Sequence, residues 1–129
     1  MPCILVLDDH PEIVTLLKTL LERWGFEVVS GRNGEEGLNI LSSVHPAAII
    51  SNIRMPHMNG MDFLDHVRII PEWSSIPIVM MSALCAEECS VAVMQHGADA
   101  FLAKPFRIAD VDTLFRRLDL MEVAEAGCV

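Results

Sequence analysis

Short runs of apolar residues alternate along this chain with longer segments of helical spacing. The strand-like runs are Cys3 to Asp8, Phe26 to Ser30, Ala47 to Asn52, Ile76 to Ala83 and Ala100 to Ala103. After each run, apolar residues recur at three- and four-residue steps, as they do in an amphipathic helix. Five repeats of a strand followed by a helix predict an α/β domain around a parallel sheet.

Proline, glycine and asparagine mark the limits of these elements. Pro11 suits the first turn of a helix, and Gly25 ends the apolar pattern that follows it. Asn33, with Glu36 three residues later, predicts a capped start for the second helix. Pro77 fits a parallel strand only near its beginning.

Apolar residues at helical spacing mark the predicted helices. They are Ile13, Leu16, Leu17, Leu20, Leu21 and Trp24 in the first helix, Met61, Phe63, Leu64, Val67 and Ile70 in the third, Val91 and Met94 in the fourth, and Ile108, Val111, Leu114, Phe115 and Leu118 in the last. The final residues, 122–129, predict a frayed tail or the start of a linker.

Size and composition limit the class of protein. With 129 residues, 52% of them hydrophobic and 21% charged, the chain fits one globular domain over residues 1–121. Its net charge of −9 disfavours direct binding to nucleic acid. No apolar stretch is long enough for a membrane span, and two acids interrupt the apolar N-terminus, so we expect a cytoplasmic protein.

The four cysteines, Cys3, Cys85, Cys89 and Cys128, are scattered and form no CxxC pair. They predict reduced thiols rather than disulfides. Cys85 and Cys89 could share a helix face as metal ligands, but without a second pair they make a poor zinc site.

Polar side chains stand where four of the predicted strands end. Asp8 and Asp9 close the first strand, Asn52 the third, Ser82 the fourth and Lys104 the fifth. In an open parallel sheet, ligands bind in the crevice outside these carboxyl ends. Paired carboxylates suit Mg²⁺, and a lysine with a hydroxyl could hold the oxygens of a transferring phosphoryl group. The arrangement points to phosphoryl transfer.

The segments VLDDHPE, SNIRMPHMNG, VMMSA and FLAKPF occur in this order along the chain. With these motifs, the chain resembles the CheY-like receiver domain of bacterial two-component response regulators, from Cys3 to about Leu118. The resemblance implies a flavodoxin-like (βα)5 fold, a doubly wound parallel sheet of strand order 2-1-3-4-5 in three αβα layers.

The resemblance also implies roles for the residues at the strand ends. Asp8 and Asp9 would help bind Mg²⁺, Ser82 would sense the phosphoryl group and Lys104 would pair with it. Phe101 matches the aromatic switch position. The main-chain carbonyl of Arg54 would be a further metal ligand, and the peptide bond between Lys104 and Pro105 would be cis.

The chain departs from the family pattern at Asn52, which stands where the family has the aspartate that accepts the phosphoryl group. An amide is neutral and its nitrogen lone pair is delocalised, so Asn52 should not act as the acceptor. Losing a charge should also weaken Mg²⁺ binding. Two explanations stay open: a natural pseudo-receiver that works without phosphate, or an engineered Asp-to-Asn substitution.

Two functions follow from the resemblance. The first is a two-component receiver that is normally phosphorylated by a histidine kinase or phosphotransfer protein. It would relay the signal to a downstream effector or output domain through the face of the fourth helix, fifth strand and fifth helix. The alternative is a phosphate-independent pseudo-receiver for protein interaction or homodimerisation. No spare nucleophile beside Asp8 or Asp9 supports an enzyme of another family.

Overall fold

A computed structural model of the chain describes residues 2–83 and 86–121, with only the backbone for residues 86–89. The strands are β1 (Cys3–Leu7), β2 (Glu27–Gly31), β3 (Ala48–Asn52), β4 (Ile78–Ser82) and β5 (Ala100–Ala103). The helices are α1 (Pro11–Arg23), α2 (Gly34–Leu41), α3 (Gly60–Ile69), α4 (Ala86–Gln95) and α5 (Ile108–Arg117). The alternation of strands and helices predicted from the sequence is confirmed.

The five strands form one parallel sheet in the order β2-β1-β3-β4-β5. Leu5 of β1 lies beside Val29 of β2 and Ile49 of β3, which fixes the register of the sheet centre. This is the flavodoxin-like α/β fold that the resemblance implied. Because all strands run the same way, their carboxyl ends meet at one edge.

Helices cover both faces of the sheet, so side chains of successive strand residues enter two different cores. Ile4 and Val6 of β1 join the core beneath α1 and α5, whereas Leu5 and Leu7 join the one beneath α2, α3 and α4. Burial on both faces explains why the strand sequences are continuously apolar rather than alternating. In the first core, Phe115 meets the ring of Phe26 edge-on at 5.6 Å.

Local signals define the helix starts as predicted. Pro11 is the first residue of α1, where its missing N–H costs no helical hydrogen bond. The Asn33 side chain accepts a hydrogen bond from the Glu36 amide at 2.9 Å, and the Glu36 carboxylate accepts one from the Arg32 amide at 3.0 Å. The predicted cap of α2 is confirmed. Gly25, just past α1, has a φ of 95°.

Four of the apolar residues that mark the helical spacing are exposed. Leu16 is 45% exposed, Val91 59%, Met94 46% and Ile108 57%. Among the described side chains of α4, which begin at residue 90, Val93 is buried, and the pattern gave no means of telling it from its apolar neighbours. Val91 and Met94 lie on α4, and Ile108 is the first residue of α5.

Other predictions fall partly or wholly outside the described residues. Cys3 is a free thiol, whereas the side chains of Cys85, Cys89 and Cys128 are not among those described. The predicted tail, 122–129, also lies outside them. Within the two described stretches, no helix has the length and hydropathy needed to cross a membrane.

Candidate functional site

An open pocket of about 830 Å³ lies at the carboxyl edge of the sheet. Its lining includes Asp9, Asn52, Arg54, Ser82 and Lys104, which come from the ends of four strands and the loops that follow them. The structure therefore brings together the polar residues that the strand ends predicted. We call this cavity the strand-end pocket.

Asp8 lies behind the pocket wall with a fully buried side chain. Its Oδ2 accepts a hydrogen bond from the Lys104 ammonium at 2.7 Å, and its Oδ1 accepts one from the His10 amide at 3.0 Å. The Lys104 side chain is only 12% exposed. Removing one partner of such a pair would leave a buried charge uncompensated, so each residue holds the other in place.

Asn52 is the last residue of β3 and is 6% exposed. Its side-chain Nδ2 donates a hydrogen bond to the main-chain carbonyl of Arg54 at 2.7 Å. A carboxylate has no N–H to donate, so an aspartate here could not make this bond when ionised. The amide therefore links the end of β3 to the loop that follows it, which an ionised aspartate could not do through this bond.

The loop between β3 and α3 folds back closely on Asn52. The Gly60 amide donates a hydrogen bond to the Ile53 carbonyl at 2.8 Å. A Cβ atom at Gly60 would lie 2.2 Å from the Asn52 carbonyl oxygen, which is backbone and cannot move aside easily. Only glycine permits this approach. Asn59, the preceding residue, caps α3 by accepting a hydrogen bond from the Asp62 amide.

His10 is a pocket residue to which the sequence analysis assigned no role. Its Nδ1 lies 2.9 Å from Asp8 Oδ1 and 3.3 Å from Asp9 Oδ1. The hydrogen bond to Asp8 and the charge of Asp9 raise the pKa of His10 above its usual value. Its position directly after the two acids was the signal that could have revealed it.

Two further predicted residues lie on β4 and β5. Ser82 ends β4, is 4% exposed and lines the pocket, and its carbonyl accepts a hydrogen bond from the Lys104 amide at 2.9 Å. Phe101 on β5 is half-buried and packs on the core beneath α3 and α4. The peptide bond between Lys104 and Pro105 is cis, as the resemblance implied.

The donor set can be compared with what Mg²⁺ requires. Asp8, Asp9 and His10 offer ligand atoms within 4.8 Å of one another. Mg²⁺ takes an octahedron of oxygens, several of them from water. Both Asp8 oxygens and the Arg54 carbonyl, however, already accept hydrogen bonds from protein donors within 3.0 Å. Each of these oxygens has two lone pairs, so the hydrogen bonds compete with a cation for Asp8 and the Arg54 carbonyl but do not exclude it.

The sequence of this chain is similar to known proteins of one family. The model of the response regulator receiver domain family matches residues 4–116. A probable transcriptional regulator, ycf27, of Cyanophora paradoxa is 34% identical over 115 residues, which are 89% of this chain and 47% of that protein. The chain thus spans about half the length of this relative and of a similar one from Porphyridium aerugineum.

Solved structures give the same result. The receiver domain of a signal transduction histidine kinase from Syntrophus aciditrophicus superposes with a TM-score of 0.83 at 30% identity, over 92% of this chain and 89% of that one. Chemotaxis response regulator CheY4 of Vibrio cholerae gives 0.84 at 28% identity, over 91% and 98%. With a family match over most of its length, the chain belongs to the response regulator receiver domain family of two-component signalling.

Proposed function

We propose that this receiver domain is a signalling module whose phosphoacceptor position carries Asn52 and which therefore does not accept a phosphoryl group. Receiver domains are signalling modules that interact with histidine kinases and output domains. The observation that carries the proposal is the place of Asn52, at the end of β3 and in one pocket with Ser82 and Lys104.

The chemistry of the amide supports a loss of acceptor activity. An attacking carboxylate supplies a negative oxygen with a free lone pair, whereas the amide oxygen is neutral and the nitrogen lone pair is delocalised. The Asn52 Nδ2 is also engaged with the Arg54 carbonyl at 2.7 Å. In a domain with aspartate at position 52, Lys104 would pair with the phosphoryl oxygens and Ser82 would sense them.

Weak binding of Mg²⁺ is part of the same proposal. Receiver domains generally bind Mg²⁺ at an acidic pocket, and Asp8 and Asp9, with His10 beside them, form such a cluster. An aspartate at position 52 would add roughly 4 kcal/mol of attraction per unit of cation charge at about 4 Å and an effective dielectric of about 20. Asn52 lacks that attraction, so Asp8, Asp9 and the Arg54 carbonyl would hold the ion weakly.

The surface of α4, β5 and α5 is the proposed contact for an effector or output domain. Val91, Met94 and Ile108 are large apolar residues exposed there, and Phe101 lies half-buried on β5 between the two helices in sequence. A contiguous apolar patch on this face would be typical of a protein interaction surface. Phe101 would link this surface to Ser82 in the pocket.

A second candidate is a module that acts without phosphate, through homodimerisation or through partners that recognise one conformation. The observation that favours it is the complete pairing of Asp8, which has Lys104 on one oxygen and the His10 amide on the other. A pocket balanced in this way needs neither a phosphoryl group nor a cation to compensate Asp8. Neither candidate requires enzymatic turnover.

The experiment that separates these candidates restores the carboxylate. Wild type and Asn52→Asp are incubated with acetyl phosphate and MgCl2, and intact-protein mass spectrometry records a phosphoryl increment. We expect the increment in Asn52→Asp only. Asn59→Asp is the matched control, because it places a new carboxylate at the same pocket but at a helix cap, and it should stay unlabelled.

Each other outcome has a definite reading. Labelling of the wild type at position 52 would overturn the proposal that Asn52 is inactive as an acceptor. Labelling of neither wild type nor Asn52→Asp would favour the phosphate-independent module, because Ser82 and Lys104 would then no longer support phosphoryl transfer.

A further inference from the structure

The side chain of Asn52 makes a bond that the aspartate of an active receiver could not make. Its Nδ2 donates to the Arg54 carbonyl at 2.7 Å, and Arg54 is the residue whose carbonyl the resemblance assigns to the metal. We propose that this hydrogen bond takes the place of a cation. It holds the start of the loop between β3 and α3, so the domain keeps a folded pocket without any divalent metal.

The backbone around Asn52 shows what the bond holds. Ile53 continues the sheet by donating its amide to the Met81 carbonyl at 3.0 Å, and its carbonyl accepts from the Gly60 amide. The chain must therefore leave the sheet at Arg54 and return at Gly60. The Asn52 side chain joins the first residue of this excursion to the end of β3. Arg54 itself is exposed, so without this donor the carbonyl would turn to water and the link between the loop and the end of β3 would be lost.

Charge balance in the pocket points the same way. Asp8 is fully buried and is compensated by Lys104 at 2.7 Å. Asp9 has a side chain 35% exposed, so water can solvate it. A neutral residue at position 52 leaves one buried carboxylate facing one ammonium group. An aspartate there would add a carboxylate to the pocket that Asp9 and Lys104 also line, and like charges in such a site repel unless a cation joins them.

Asn52 therefore stabilises the pocket in two separable ways: its side chain is neutral, and it supplies an N–H donor. Asn52→Ala keeps the neutrality and removes the donor. Asn52→Asp removes the donor and adds a charge. Asn39→Asp is the matched control for the added charge, because Asn39 is exposed on α2 away from the strand-end pocket.

The test is thermal unfolding of the whole chain in EDTA and in excess MgCl2. We expect the wild-type Tm to be the same in both solutions. Asn52→Ala should have a lower Tm in both, by about 2–5 °C for the loss of one hydrogen bond. Asn52→Asp should lose more than Asn52→Ala in EDTA and regain most of the loss in MgCl2, whereas Asn39→Asp should not respond to Mg²⁺.

Two results would overturn the inference. One is an Asn52→Ala variant as stable as the wild type, which would show that the donor holds nothing. The other is a wild-type Tm that rises with Mg²⁺ as much as that of Asn52→Asp, which would show that the pocket still requires a cation.

A measurement on the folded wild type makes the test independent of how well the variants fold. The side-chain amide protons of Asn52, assigned by their loss in the variants, should exchange slowly with water and keep their NMR shifts when MgCl2 is added. Fast exchange would contradict a stable hydrogen bond to Arg54. This inference rests on the proposed function because both concern the side chain of Asn52. The two are tested separately, since the labelling of Asn52→Asp and the Tm values can each fail without the other.

Discussion

His57 adopts a backbone conformation that side chains with a Cβ avoid. Its φ is 64°, in the left-handed region, and it lies exposed in the loop between β3 and α3. The left-handed conformation costs roughly 1–2 kcal/mol for such a residue, and glycine escapes this cost but loses about 0.5–1 kcal/mol through its freer unfolded chain. We expect His57→Gly to raise the free energy of unfolding by about 0.5 kcal/mol, measured by urea denaturation.

The control for this substitution is His45→Gly. His45 is also exposed but has no positive φ, so the same change should lower stability there. If His57→Gly lowered stability as much as His45→Gly, the left-handed conformation would not be a source of strain.

The sequence predicted that polar residues at the strand ends meet, but not which atoms pair. Asp9, Asn52, Ser82 and Lys104 were predicted from one rule, that polar residues ending parallel strands share an edge, and the pocket confirms that they come together. The rule says nothing about which atoms pair. Lys104 was predicted to pair with a phosphoryl group, which stays a prediction, and its hydrogen bond to Asp8 is a contact that only the packed structure reveals.

Arg68 joins three segments that meet at the end of α3. Its guanidinium donates hydrogen bonds to the carbonyls of Gly97, Ser74 and Ile76 and to the Asp99 carboxylate, at 2.8 to 3.2 Å. Since the Arg68 side chain is only 18% exposed, these carbonyls would be left partly without donors in Arg68→Ala. We expect a loss of about 2–3 kcal/mol in the free energy of unfolding, measured by urea denaturation.

Arg116→Ala is the matched control for Arg68→Ala. Arg116 makes an ion pair with Asp112 on the surface of α5, and its side chain is 66% exposed. Its removal should cost less than about 0.5 kcal/mol, as for other exposed pairs. Equal losses in the two variants would contradict the structural role given to Arg68.

At the scale of elements, the strands were predicted within one or two residues, and β5 matches at both ends. The ends of the strands could be predicted because apolar runs buried on both faces stop abruptly at polar residues. The buried face of α4 could not be predicted, because Val91, Val93 and Met94 are all apolar and, of these three, only Val93 is buried. The contacts of Arg68 with Gly97 and Asp99 join residues about thirty positions apart, so no local pattern could indicate them.

For the whole molecule, the alternation of strands and helices predicted an α/β class, while the strand order came from the resemblance and not from periodicity. Periodicity shows which side chains are buried but not which strands are neighbours. The order β2-β1-β3-β4-β5 places β1 and β3 side by side, and this brings Asp8 and Asn52 to the same pocket region. The acidic excess was also visible in the sequence, and it has a consequence for stability.

The folded chain carries a net charge of −9, with 18 acidic against 9 basic side chains, so its exposed acids repel one another. Salt screens this repulsion, because the Debye length falls from about 30 Å at 0.01 M to about 8 Å at 0.15 M. We therefore expect the Tm to rise with NaCl over this range.

Glu72, which is exposed in the turn after α3, supplies the test: Glu72→Lys changes the net charge by two units, from −9 to −7. This variant should melt at a higher temperature than the wild type at low salt and gain less from added NaCl, and Glu72→Gln should lie between them. A wild-type Tm that fell with NaCl would contradict this expectation and would mean that exposed ion pairs, such as Arg116 with Asp112, outweigh the repulsion.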